Sequence, residues 1–223
     1  MEYSVIASID DDFIKPSPRL IDVSLRSITL ASKISLETVS QRMKAPPFYP
    51  NLYPGEHYRL LAALVKILEP RNVVEIGTGT GLSSLSMLTT LRRDGRITTF
   101  DILPWQEDTG SFLTEKDFED RRLEQIIADL SEPPQFERHF ARIHTADLIF
   151  MDGPKNITFE KTFLQHIQDT LVDSSPLLVL DDIRIWNMLK IWRDISRPKL
   201  DLTSFGHWTG TGIVDWSEGE SAT

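Results

Sequence analysis

The run Val73-Val74-Glu75-Ile76-Gly77-Thr78-Gly79-Thr80-Gly81-Leu82-Ser83-Ser84 constrains this chain more than any other stretch. An apolar segment gives way to glycine at every second position and then to an apolar, serine-bearing run. A strand, a glycine turn and a helix start in that order bring bare backbone N–H groups and a helix N-terminus up to a ligand. The spacing is G-x-G-x-G. A dinucleotide fingerprint, G-x-G-x-x-G, would put its third glycine or alanine at position 82, which is Leu82. A P-loop would follow the turn with Gly-Lys-Ser/Thr, and no lysine is there. The acid Glu75, two positions before the first glycine, is the second mark of the motif.

The 223 residues allow one α/β domain with a sizeable core. The charge of −9 disfavours nucleic-acid or anionic-membrane partners. The absence of cysteine removes disulfides, zinc–thiolate sites and thiol nucleophiles. Met1–Phe13 is acidic, with no basic segment leading into an apolar stretch, and no apolar run reaches the ~20 residues that span a bilayer. A cytoplasmic protein without a membrane partner is therefore expected.

From Glu56 onward strands alternate with helices, the pattern of a parallel sheet covered on both faces. Strands are predicted at Asn72–Ile76, Arg96–Phe100, Leu123–Ala128, Asp147–Met151 and Leu177–Leu180. Helices are predicted at Glu56–Leu68, Leu82–Arg92, Thr114–Arg122, Pro133–Ala141, Phe159–Leu171 and Ile183–Ile195. Leu200–Phe205 and Gly210–Trp216, around a Gly206–Thr209 turn, read as an antiparallel hairpin at the sheet edge. Ahead of this, Met1–Pro18 reads as a loose arm or interface segment, Leu20–Met43 as one or two helices, and Ala45–Gly55 as irregular because of its prolines. The expected organisation is an N-terminal helical and proline-aromatic addition over 1–55, an α/β domain over 56–216, and a disordered tail over 217–223. The apolar N-terminal helices and the arm offer a homodimer contact.

The glycine run with Glu75 resembles motif I of the class I S-adenosylmethionine (SAM) methyltransferases. That resemblance implies a Rossmann-like, mostly parallel seven-stranded sheet closed by an antiparallel C-terminal hairpin, with SAM at the carboxyl ends of the strands. On it, Glu75, Gly77, Thr78, Gly79, Gly81 and Ser83 shape the cofactor loop. Asp101, ending the second strand, takes the ribose hydroxyls, where the plainer alternative is a loop or cap acid. Asp129, after the third strand, takes the adenine amino group, or serves only as a cap before Ser131-Glu132-Pro133.

Asp152-Gly153-Pro154-Lys155 is similar to the Asp-x-x-Lys motif of the catechol-type, divalent-metal-dependent O-methyltransferases. There the acid ligates metal and touches the cofactor side, and the lysine accepts the hydroxyl proton. Asp181-Asp182 stands where that family has Asp-Asn. The implied metal ligands are Asp152, Asp181 and Asp182, a hard oxygen set for Mg²⁺, Mn²⁺ or Ca²⁺. Three carboxylates leave such a site net negative, a departure from the family, and a metal-free site is the alternative. Lys155 needs a lowered pKa to act as base.

The function implied is methyl transfer from SAM to a small-molecule hydroxyl, with Asp152 and Lys155 as catalytic residues. A metal-independent N- or O-methyltransferase of a sugar or secondary metabolite, and a non-catalytic binder of SAM or S-adenosylhomocysteine (SAH), remain open. An NAD-dependent oxidoreductase is weakened by Leu82. None of the five histidines falls in a metal-binding spacing. His207, in the glycine-rich hairpin turn, reads as overhanging the acceptor pocket.

Overall fold

Every predicted strand of the alternating region joins a single seven-stranded sheet in the computed structural model, which describes residues 14–171 and 174–217. The strands are β1 (Asn72–Ile76), β2 (Arg96–Asp101), β3 (Leu123–Ile127), β4 (Leu148–Met151), β5 (Leu177–Asp181), β6 (Lys199–Asp201) and β7 (Thr211–Asp215). Their spatial order is β3-β2-β1-β4-β5-β7-β6. The first five run parallel, and β7 inserts antiparallel between β5 and β6. Strand order reverses between β1 and β4, the place where an open α/β sheet leaves a crevice at its carboxyl edge.

The period-2 alternation of side chains divides the core in two. Val73, Ile97, Leu148, Phe150 and Val179 face one layer. That layer holds α1 (Pro18–Ala31), the short α2 (Glu37–Ser40), α3 (Tyr58–Leu68) and α4 (Leu82–Leu88). Val74, Ile76, Ile149, Met151 and Leu180 face the other, with α5 (Pro133–His144), α6 (Thr158–Thr170) and α7 (Trp186–Asp194). Phe163 of α6 is fully buried and stacks 6.1 Å from Phe159; truncating such a ring to alanine costs about 3–5 kcal/mol.

The N-terminal layer is fastened to the far side of the sheet. Ser17 caps α1 by accepting from Leu20 N at 3.2 Å, while its hydroxyl donates to Asp215 at 2.5 Å. Arg19 donates to the same carboxylate at 2.9 Å. The proline-aromatic arm follows: Tyr53 donates to the Ile28 carbonyl. Gly55 N donates to the Gly206 carbonyl and Trp208 N to the Gly55 carbonyl, both at 3.1 Å. The arm and the hairpin turn thus meet over the end of β5.

Several local expectations are corrected. Thr114–Arg122 is not a helix but a 3-10 turn, Glu115–Phe118. Thr114 and Asp117 form a capping box, Arg42 grips Asp117 through two 2.7 Å bonds, and Arg121 has φ 59°, which ends any helix. The helix after the glycine loop stops at Leu88, where Thr89 and Thr90 turn their hydroxyls onto the carbonyls of Ser86 and Ala62. The helix predicted from Ile183 starts only at Trp186, since Asp182 has φ 60° and Arg184 N donates to the Thr209 carbonyl of the hairpin. β6 ends at Asp201, whose carboxylate accepts from Thr203 N and Oγ1 and starts a 3-10 turn at Thr203–Phe205. The greater part of the expected N-terminal arm and all but Ser217 of the expected tail lie outside the described residues.

Candidate active site

The glycine loop is positioned by its neighbours on both sides. Gly77 N donates to the Phe100 carbonyl of β2 at 2.8 Å, and Asp152 N donates to the Ile76 carbonyl at 2.9 Å. Gly77, Gly79 and Gly81 have φ of 95°, 45° and 80°, a region that L side chains rarely adopt. At Gly77 a Cβ would also sit 2.1 Å from the Asp152 carbonyl oxygen, and at Gly81 it would meet Leu113 at 2.3 Å. Gly77 is glycine because the backbone that follows β4 lies against it there.

Asp101 holds the turn from below. One carboxylate oxygen accepts from Thr78 N at 2.8 Å and Gly79 N at 3.2 Å, the other from Ile102 N at 2.7 Å and Leu103 N at 3.2 Å. Glu75 sits behind the loop, wholly buried, receiving the hydroxyls of Ser83 at 2.5 Å and of Ser84. Burial pushes its carboxyl up to about 7 against those hydrogen bonds and one from Thr99. Glu75 and Ser83 therefore join β1 to α4 and do not face the crevice. Thr78 is likewise buried, sharing a 2.9 Å hydroxyl contact with Thr99.

A cavity of about 430 Å³ opens along the carboxyl ends of β1, β2 and β4. Gly77, Gly79, Asp101, Asp129 and Asp152 line it, with Ile76, Phe100, Ile102, Leu130 and Phe159 as its apolar walls. Largely apolar and set with carboxylates, it matches a nucleoside bearing a cationic tail. Asp129 also accepts from the Ser131 amide and hydroxyl, so it is both a cap and a wall residue.

Beyond Asp152 lies a charged cluster. The Lys155 ammonium is 2.5 Å from Asp152 and also pairs with Asp182. Burial works against its charge, but Asp152 and Asp182 prevail and hold its pKa above the ordinary lysine value. These neighbours favour the ammonium form of Lys155, opposite to the lowered pKa that a free base needs. Its backbone, at φ 58°, is held by Glu160 accepting from Lys155 N at 2.7 Å and by Asn187 donating to the Lys155 carbonyl at 3.1 Å. Burial and neighbouring Asp181 push the Asp152 carboxyl up against the opposing Lys155. Asp181 is held well below the usual carboxylate range: burial opposes this, but His57 and His207 win.

The three carboxylates expected to form one oxygen set do not do so among the described residues. The donor sets with atoms within 4.8 Å of one another are Glu56/His57/His207, His57/Asp152/Asp181 and Asp181/Asp182/His207. The Lys155 ammonium stands between Asp152 and Asp182.

Sequence reasoning missed Glu56, His57, Gln125, Glu160 and Asn187 as parts of the site. Gln125 ties β3 to the glycine loop, donating to Thr78 Oγ1 at 3.0 Å and to the Leu103 carbonyl at 3.1 Å. Its one signal was a polar residue inside an apolar strand. Glu56 and His57 were signalled only as a polar pair directly after the proline-aromatic arm.

The family profile described as "Methyltransferase domain" matches residues 74–183. A curated relative, "Probable caffeoyl-CoA O-methyltransferase 3" of Dictyostelium discoideum, is 22% identical over 148 residues, 66% of this chain and 58% of that one. The chain thus spans under two thirds of that relative's length. Among solved structures, a methyltransferase from Geobacter sulfurreducens superposes with TM-score 0.53 at 18% identity, covering 71% of this chain and 77% of its own. The SAH-bound methyltransferase PaMTH1 of Podospora anserina gives TM-score 0.53 at 15% identity, covering 88% of each chain. Among the described residues no helix is long and apolar enough to cross a membrane. Motif, domain profile and strand order together place the chain in the class I S-adenosylmethionine-dependent methyltransferases, with its likeness directed to the O-methyltransferases of the caffeoyl-CoA and catechol type.

Proposed function

We propose that the chain transfers the SAM methyl group to a hydroxyl of a small molecule. The observation that carries this reading is the continuity of the crevice. The glycine loop, Asp101 and Asp152 line one crevice, and Lys155, paired with both Asp152 and Asp182, stands beside it. A cofactor in the crevice directs its sulfonium toward that cluster, where a carboxylate wall favours the cation.

The reaction is a displacement: the acceptor oxygen forms a bond to the methyl carbon as the carbon–sulfur bond breaks, leaving neutral SAH and one proton. Alignment of oxygen, carbon and sulfur supplies much of the acceleration. The fixed Lys155 ammonium donates to the acceptor oxygen and stabilises its developing negative charge. Asp152, whose proton affinity is raised by burial and by Asp181, receives the released proton. No step is assigned to a cation held by Asp152, Asp181 and Asp182, because Lys155 already occupies the space between two of them.

The test is release of SAH from SAM by the purified protein against a panel of hydroxylated small molecules. Turnover that requires an acceptor and is lost in Asp152→Asn supports the reading. Tight SAM binding without turnover on any acceptor class would instead favour a SAM- or SAH-binding protein without catalysis.

A further inference from the structure

We infer that Glu56, His57 and His207 form a metal site of two imidazoles and one carboxylate, oriented by Asp181, for a late first-row divalent cation such as Zn²⁺. None of the three is among the carboxylates that the sequence motif implies as ligands. One donor atom from each lies within 4.8 Å of the others.

The anomaly that demands a ligand is His57. It is 3% exposed, yet neither ring nitrogen makes a hydrogen bond. Its Nδ1 pairs with Asp181 Oδ1 at 3.3 Å, whereas its Nε2 has no hydrogen-bond partner. A buried polar group left unsatisfied costs roughly 1–3 kcal/mol, so it calls for a partner.

His207 mirrors this arrangement. Its Nδ1 lies 3.1 Å and 3.2 Å from the two Asp181 oxygens, and its Nε2 lies 3.7 Å from Glu56 Oε2. Both imidazoles therefore direct Nδ1 toward one carboxylate, and His207 turns its Nε2 to Glu56. A histidine that ligates metal through one nitrogen commonly gives the other to a carboxylate, which fixes its tautomer and orientation. The 3.7 Å separation also suits two ligands of one ion, since bonds of ~2.0–2.1 Å at a tetrahedral angle put ligand atoms ~3.3–3.4 Å apart.

Charge favours this set over the carboxylate one. Glu56 and Asp181, each under 5% exposed, balance a divalent ion, whose binding displaces the protons from the two imidazoles. Nitrogen donors favour Zn²⁺, Co²⁺ or Ni²⁺ over Mg²⁺. The ligands come from the arm just before α3 and from the hairpin turn, the two segments already joined through Gly55 and Trp208. A metal here clamps both over the end of β5, beside the acceptor cluster.

The experiment is titration of chelator-stripped, folded protein with Co²⁺ and Zn²⁺, read by visible absorption of Co²⁺ and by calorimetry. Expected is one ion per chain at micromolar or tighter affinity and intense low-coordinate Co²⁺ bands. Millimolar Mg²⁺ should not compete. Affinity should fall at least 100-fold in His57→Gln and in His207→Gln, but not in His166→Gln. Absence of uptake by the wild type, or uptake unchanged in both His57→Gln and His207→Gln, overturns the inference. Because the readout is the metal, it is independent of whether methyl transfer occurs.

Discussion

Gly77 and Asp152 are in backbone contact across the break in strand order: a Cβ on Gly77 would lie 2.1 Å from the Asp152 carbonyl oxygen. The glycine loop and the end of β4 are therefore one rigid unit. Gly77→Ala forces them apart and adds strain at φ 95°. Expected is a loss of about 2–3 kcal/mol of stability, a fall of roughly 5–10 °C in Tm, and SAM affinity weakened at least tenfold. Thermal denaturation and calorimetry check both.

This contact also shows what a sequence carries and what it does not. The Asn72–Ile76 strand and the glycines after it were legible because a buried strand and a left-handed turn each restrict residue type locally. The helix misread at Thr114–Arg122 has helical spacing, but a capping box and a positive φ at Arg121 override it. The approach of His57 and His207 to Asp181 had no local signal at all. It arises where the arm, β5 and the hairpin converge, and only β7 inserting beside β5 brings them together.

Glu75 makes stability depend on pH. Its folded pKa, raised to about 7 by burial against the hydrogen bonds from Ser83 and Ser84, lies above its ordinary 4.5. The folded state thus holds a proton that the unfolded state releases over that window. The contribution is full below pH 4.5, is lost as pH rises through 7, and is constant above. Glu75→Gln keeps the shape without the titration. Its stability relative to wild type should rise by ~1–3 kcal/mol between pH 5 and pH 7.5, read by urea denaturation across pH. A constant difference across that range would remove this account of Glu75.

On the proposed reaction, Lys155 should matter to methyl transfer more than to cofactor binding. Lys155→Met removes the cation between Asp152 and Asp182 while leaving the glycine loop and Asp101 in place. Expected is a fall in kcat of roughly 10²–10³ with the SAM Kd within about threefold. Single-turnover kinetics and calorimetry separate the two. Loss of SAM binding in proportion to kcat would assign Lys155 to the cofactor pocket instead.

Asp215 fastens the N-terminal layer. It is fully buried and accepts from Ser17, Arg19 and Ser217. Burial opposes its charge, but these partners hold its pKa below the usual carboxylate range. Asp215→Ala leaves the Ser17 hydroxyl buried without its acceptor and should cost about 2–4 kcal/mol. Arg19→Ala, at a half-exposed partner, should cost under about 1 kcal/mol. Denaturant titration of the two variants checks the ordering.

The most direct measurement is calorimetric titration of the wild-type protein and of Asp101→Ala with SAM. The crevice reading predicts one site per chain with a micromolar Kd, weakened at least tenfold when the Asp101 carboxylate, which anchors Thr78 and Gly79, is removed. No binding heat in the wild type, or equal affinity in Asp101→Ala, would contradict it.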